Sequence, residues 1–137
     1  MKRTFFVFVG LLVIGFLFIS AVPFVDQTFR RAPVSSPVQS LVSVTFDFGD
    51  RVATVSSVSA ITAFDALQKA ALQEKIEVKT KQYDFGVFIE QIGDAVNSKK
   101  KSWIYFVNRK AGTVAADKQP VTSGDVVEWR YIEPIIE

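Results

Sequence analysis

The spacing of apolar positions along this chain changes several times, and each change marks an element. Phe5–Val25 is an unbroken run of 21 uncharged residues, mostly Phe, Val, Leu and Ile. At about 1.5 Å per residue it would span ~30 Å, the hydrocarbon thickness of a bilayer. Residues 26–40 lose all periodicity and carry Pro33, Pro37 and three serines, the composition of a semi-extended spacer. From Leu41 the pattern alternates, with Val42, Val44, Phe46 and Phe48 on one side and Ser43, Thr45 and Asp47 on the other. That period of two predicts a half-buried strand. Gly49-Asp50 then signals a turn and Arg51–Val58 a β-branched return strand, so the pair reads as a hairpin. At Thr62 the period becomes helical. Thr62 and Asp65 form an N-cap with an acidic first turn. Phe64, Leu67, Ala71 and Leu72 follow at helical spacing, with Gln68, Lys69, Glu74 and Lys75 facing away, which predicts a helix over 62–75.

Beyond the helix come a short strand near Ile76–Thr80, an aromatic turn at Tyr83-Asp84-Phe85-Gly86, a strand at Val87–Ile92 and a polar loop, Gly93–Lys101, ending in three lysines. Ser102–Val107 and Val126–Tyr131 read as the last strands, and Pro120 argues against a central strand in the loop-like stretch between them. Ser102–Val107 is apolar on both faces: Trp103, Tyr105 and Val107 point one way, Ile104 and Phe106 the other. Such a strand is usually covered on both sides, and a single helix covers only one. The expected class is α+β, a β-grasp-like mixed sheet with one packed helix, preceded by a single N-terminal transmembrane helix. Residues 1–25 are the membrane anchor or signal segment, 26–40 the linker and 41–137 the domain.

Charge divides along the same lines. Residues 1–40 hold four basic side chains and one acidic, whereas residues 41–137 hold twelve basic and thirteen acidic. The domain is near neutral, so the pI of about 8.9 belongs to the membrane flank and is no sign of a nucleic-acid partner. Lys2 and Arg3 hold the N-terminus in the cytoplasm and send the domain across the cell membrane. An uncleaved anchor is favoured by length over a cleaved signal ending near Ile19-Ser20-Ala21, which would make the domain secreted. The chain has no cysteine and no histidine. This removes disulfides, thiol nucleophiles, the usual general base and the commonest transition-metal ligand, and no carboxylate-rich loop of the calcium-binding kind replaces them. Neither a catalytic set nor a metal site is expected, and composition calls for no cofactor.

In order, Phe46-Asp47-Phe48-Gly49-Asp50, the helix, Phe85-Gly86-Val87-Phe88-Ile89-Glu90-Gln91-Ile92-Gly93, Trp103-Ile104-Tyr105-Phe106-Val107-Asn108 and Ser123-Gly124-Asp125-Val126-Val127-Glu128-Trp129-Arg130-Tyr131 resemble the transcobalamin-like C-terminal domain family, long catalogued as a domain of unknown function. The resemblance covers essentially all of residues 41–134. It implies a β-grasp-like domain of the kind found on secreted or surface-anchored bacterial proteins. In the animal vitamin B12 carriers a similar domain closes over cobalamin against a separate helical barrel. These 137 residues contain no such barrel, so cobalamin enters only by analogy. The glycine usual after the Val-Asn pair is here Arg109.

Trp103 and Tyr105, with Asn108 beyond them, form the candidate ligand or partner face, an aromatic platform. Core packing is the competing and commoner fate of such rings, and the competing role of Asn108 is its turn. Gly124, Asp125, Trp129 and Tyr131 read as fold signature, Lys99-Lys100-Lys101 as a solvated loop. Two functions follow: a non-catalytic, membrane-tethered module binding a small molecule, or a surface module docking another protein.

Overall fold

The computed structural model describes residues 36–134. They form β1 (Ser40–Asp47), β2 (Val52–Ala60), α1 (Ala63–Gln73), β3 (Val78–Tyr83), β4 (Gly86–Ile92), β5 (Ala95–Val96), β6 (Ser102–Val107), β7 (Lys110–Ala111) and β8 (Val126–Ile132). The class is mixed α+β. The predicted span Phe5–Val25 and the spacer up to residue 35 lie outside the described residues. Among the described residues no helix is long and apolar enough to cross a membrane.

Two sheets stand where one was expected: a five-stranded sheet ordered β2-β1-β8-β6-β7, and a three-stranded one ordered β3-β4-β5. β1 and β2 make the predicted hairpin, with Asp47 opposite Val52. β8 lies parallel to β1 and antiparallel to β6. Register then sets one continuous apolar face. Val44 pairs with Val127 and Phe46 with Trp129, while Tyr105 and Trp103 lie across from Trp129 and Tyr131. Val44, Phe46, Val127, Trp129, Trp103 and Tyr105 are all buried. A bulge in β2 adjusts the hairpin: Val42 faces Val58 but Val44 faces Val55, and Ser57 takes a φ of 61°. The extra residue turns both Val55 and Val58 inward, which strict alternation would not.

α1 packs against the β1–β2 end of this face. Its cap is the predicted one: Thr62 Oγ1 accepts from the Asp65 N–H at 3.1 Å, and Asp65 Oδ2 accepts from the Ile61 N–H at 3.0 Å. The helix buries Ala63, Ala66, Leu67, Ala70 and Ala71, a stripe of small residues that lets its axis sit close to the sheet. Leu72, expected inward, is 79% exposed because it lies a further ~100° around the helix from Ala71.

The three-stranded sheet lies over the β6 end of the same face, with Ile89 and Ile92 reaching the core. Both layers therefore share one side of the large sheet. On the other side Phe106 is buried beneath the Arg130 guanidinium, 4.4 Å from its ring centroid, and Glu128 holds Arg130 at 2.9 Å. Cation–π packing stands in for the second layer that the two-sided strand called for.

β6 and β7 are joined through Asn108 and Arg109, at φ 50° and 68°. Two consecutive left-handed residues make the hairpin turn whose twist matches its strands, and the second position favours glycine. We expect Arg109→Gly to stabilise the domain by about 0.5–1 kcal/mol, since a Cβ in left-handed backbone costs ~1 kcal/mol or more. A urea midpoint that stays put or falls would show that Arg109 is not strained.

Candidate functional site

Between the two sheets, where α1 no longer covers the large one, a cavity of about 600 Å³ opens to solvent. Trp103, Tyr105 and Trp129 line it from the large sheet; Val87, Phe88 and Ile89 from β4; Phe85 from the β3–β4 turn; and Gly112–Ala116 with Lys118 from the loop after β7. Burial grades along it. Trp129, Trp103 and Tyr105 are 2%, 5% and 8% exposed, whereas Phe88 and Phe85 are 39% and 61% exposed. The inner end is the core of the protein and the mouth is an aromatic rim. Tyr83 extends that rim, stacked on Phe85 at 5.2 Å and edge-on to Phe88 at 6.1 Å.

The walls are fixed by hydrogen bonds. The Tyr105 hydroxyl donates to the Val114 carbonyl at 2.6 Å, and the Gly112 N–H donates to the Tyr105 carbonyl at 3.0 Å. Burial raises the Tyr105 phenol above its ordinary range, so it remains a donor at neutral pH. At the other end of the loop, Asp117 Oδ1 accepts from the Val87 N–H at 2.9 Å, which keeps its carboxyl below the ordinary value. Gly86 allows this approach: it sits at φ 132°, and a Cβ there would come within 2.5 Å of both Ala115 Cβ and Asp117 Oδ1. The first two helical N–H groups, of Ala63 and Phe64, donate to the Gln119 and Ala116 carbonyls. The loop thus caps the helix while it walls the cavity.

Trp103 and Tyr105 do come together, as cavity wall, which sides with the core-packing reading over the exposed platform; the second sheet and the Gly112–Ala116 loop bury them. Trp103 is further fixed by its Nε1–H donating to Ala95 O at 2.8 Å, by Phe48 at 5.1 Å and by Tyr131 at 5.4 Å. Asn108 does not join them. Its Nδ2 donates to Asp125 Oδ1 at 2.8 Å and its Oδ1 accepts from the Val126 N–H at 2.9 Å, so it locks the turn before β8. Gly124 (φ 91°) and Asp125 belong to that same turn. Trp129 packs on Tyr105 at 5.4 Å, and the Tyr131 hydroxyl donates to Val96 O at 2.6 Å. Lys99–Lys101 are exposed.

The exposed aromatics are instead Tyr83, Phe85 and Phe88. The sequence signal for Tyr83 and Phe85 was the aromatic turn itself, which alternation explained only as a loop, whereas Phe88 falls in the predicted strand Val87–Ile92. Among the described residues no group of three or more acidic side chains is placed to hold a metal ion.

Asp125 makes the turn pH-sensitive. Partial burial alone would raise its carboxyl, but the Thr122 N–H, the Asn108 amide and the Thr122 hydroxyl outweigh this and hold it below its ordinary value. A depressed folded pKa stabilises above the unfolded value and is lost as pH falls through the folded one. We expect the thermal midpoint to drop on acidification below about pH 5, with Asp125→Asn starting lower at pH 6 and losing less. Parallel curves for the two proteins would remove Asp125 from the account.

Over residues 61–133 the chain matches the family described as Domain of unknown function (DUF4430), and it belongs to that family. No curated protein matches it in sequence. Among solved structures, a "putative metal binding protein" from Ruminococcus gnavus ATCC 29149 is similar at 22% identity and a TM-score of 0.53, over 69% of this chain and 98% of its own. Haptocorrin in complex with Cbi is similar at 14% identity and a TM-score of 0.59, over 73% of this chain and 26% of its own. The chain thus matches about a quarter of haptocorrin's length. At these identities the likeness is one of fold, in keeping with the transcobalamin-like pattern of the sequence.

Proposed function

We propose that this chain is a non-catalytic, membrane-tethered extracytoplasmic binding module that takes a small, mainly apolar molecule into the cavity between its two sheets. The observation that carries the reading is the cavity itself: about 600 Å³, walled by apolar side chains, rimmed by exposed Phe85 and Phe88, and fixed by the Tyr105–Val114 and Asp117–Val87 bonds. That volume falls in the range of small-molecule sites. The parallel β1–β8 pair at the centre of the large sheet, with one helix across it, supports the β-grasp reading. Haptocorrin's complex lends a corrinoid-like ligand support by analogy. Metal binding, named for the Ruminococcus protein, has little support in a chain without cysteine or histidine. Anchor, linker and domain at 1–25, 26–40 and 41–137 complete the reading, with the anchor retained in the membrane.

A surface-protein partner is the second reading. It is favoured by the Tyr83–Phe85–Phe88 cluster beside β3, an edge strand exposed from Lys79 to Tyr83.

The test is tryptophan fluorescence of the full chain in detergent, titrated with cobalamin and with 2-acetylnaphthalene, corrected for ligand absorption. Saturable quenching by at least one is expected. In Phe85→Ser/Phe88→Ser we expect affinity to fall about tenfold, as removal of two aromatic contacts predicts, while the thermal midpoint moves by less than about 4 °C. No saturable response to either compound would move the assignment to the protein-partner reading.

A further inference from the structure

Among the described residues that line the cavity, Lys118 alone is charged. Its side chain is 62% exposed, and its ammonium stands 3.2 Å from Asp117 Oδ2. Asp117 does not use it up. The aspartate side chain is only 18% exposed, its other oxygen is held by the Val87 N–H at 2.9 Å, and it is not part of the lining. An ammonium carries three donors, and Asp117 occupies one. Thr113, exposed on the same loop, adds a hydroxyl without a partner among the described residues. Side-chain polarity that a ligand could use is therefore confined to this loop. Elsewhere on the wall it is spent or out of reach. Trp103 Nε1–H donates to Ala95 O at 2.8 Å and the Tyr105 hydroxyl to Val114 O at 2.6 Å, while the Trp129 indole nitrogen has under 1 Å² of accessible surface.

We infer that the ligand of this cavity is a small amphipathic carboxylate, its apolar body between the two sheets and its carboxylate at the solvent side against the Lys118 ammonium. This rests on the small-molecule reading above and narrows it to a chemical class. Orientation follows from where hydrogen bonds can be made. A polar group carried inward would lose water and find no side-chain partner, at the cost any unpaired buried group incurs. An apolar body carried inward meets Trp103, Tyr105 and Ile89, and its own surface leaves water. The sign of the head group follows from the lining: one cation and no anion favours a negative group over a positive one. Solvent access makes that charge tolerable. Lys118 is open to water, so a carboxylate paired with it keeps much of its hydration, which a carboxylate beside Trp129 would not.

The experiment titrates the full chain in detergent, at neutral pH, with 2-naphthoate and two analogues that share its body. One is 2-acetylnaphthalene, in which a methyl group replaces the charged oxygen; the other is the 2-naphthylmethylammonium cation. Tryptophan fluorescence is the readout, corrected for ligand absorption and for partition into micelles. We expect naphthoate to bind about three- to fivefold more tightly than the ketone, the discrimination an exposed ion pair supplies, and the cation to bind more weakly than either. Raising salt from about 0.05 to 0.5 M should remove the advantage of naphthoate by screening. In Lys118→Gln the ratio of naphthoate to ketone affinity should fall to about one. The thermal midpoint of that variant should stay within about 4 °C, because the side chain is exposed. Naphthoate no tighter than the ketone, a preference for it that survives in Lys118→Gln, or a cation that binds as tightly overturns the inference while leaving the cavity as a binding site. Absence of binding by all three compounds removes the site reading and this inference with it.

Discussion

Phe46→Ala should be the most damaging single truncation in the domain, lowering stability by about 3–5 kcal/mol. Phe46 is fully buried at the centre of the large sheet, with Ala53 opposite it on β2 and Trp129 beside it on β8. Its small neighbour cannot spread to fill the space, and α1 presents mostly alanines to this face, so collapse is limited and a cavity remains. A domain of this size is stable by only about 5–15 kcal/mol, so the change removes a large share of the total. The thermal midpoint should fall by more than about 12 °C. Leu72→Ala is the matched control: the same helix–sheet region, but a side chain 79% exposed, with an effect within about 0.5 kcal/mol. Chemical denaturation of the two variants checks both. A Phe46→Ala loss under about 1 kcal/mol would be incompatible with the core described.

The contrast between these two leucine- and phenylalanine-sized side chains shows how far the sequence could be read. β1 was legible because one face is buried and the other wet, so Val42, Val44, Phe46 and Phe48 alternate cleanly with polar residues. α1 was legible at its start because Thr62 and Asp65 act locally, within one turn. Its buried face was legible only in part. Ala63, Ala66 and Ala70 are ordinary helix formers on any face, and their burial follows from how close the helix lies to the sheet, a tertiary fact. The two-sheet division was hidden for a similar reason: β4 and β6 carry the same kind of apolar pattern, and nothing local says that β4 pairs with β3 and β5 instead of joining the large sheet. Rings along a strand mark an apolar face without saying what covers it. That is why the sequence left Trp103 and Tyr105 open between an exposed platform and core packing, and only the second sheet decides for the wall. Phe85, in a turn, owes its exposure to the turn, and a turn reading alone gives it no role.

Gly112→Ala should both destabilise the domain and spoil the cavity, and the two losses should share one cause. A Cβ on Gly112 would fall inside the Tyr105 ring, against Cζ, Cε1 and the hydroxyl oxygen. The ring has nowhere to retreat: Trp129 lies 5.4 Å away from its centroid, and its hydroxyl is bonded to Val114 O. Either Tyr105 swings and loses that bond, or the Gly112–Ala116 wall lifts away from β6. Overpacking of this kind costs about 1–3 kcal/mol. With a hydrogen bond of about 1 kcal/mol lost as well, the total should be roughly 2–4 kcal/mol. Affinity for 2-acetylnaphthalene should fall about tenfold or more in the same protein, because the wall and the ring that line the site have moved apart. A double-mutant cycle with Tyr105→Val separates a steric cause from a general dislike of a side chain at residue 112. With the ring gone, Gly112→Ala should cost less than about 1 kcal/mol, so the two changes combine far from additively. Additive losses would mean that Gly112 and Tyr105 do not meet as described, and the wall of the cavity would have to be drawn from other residues.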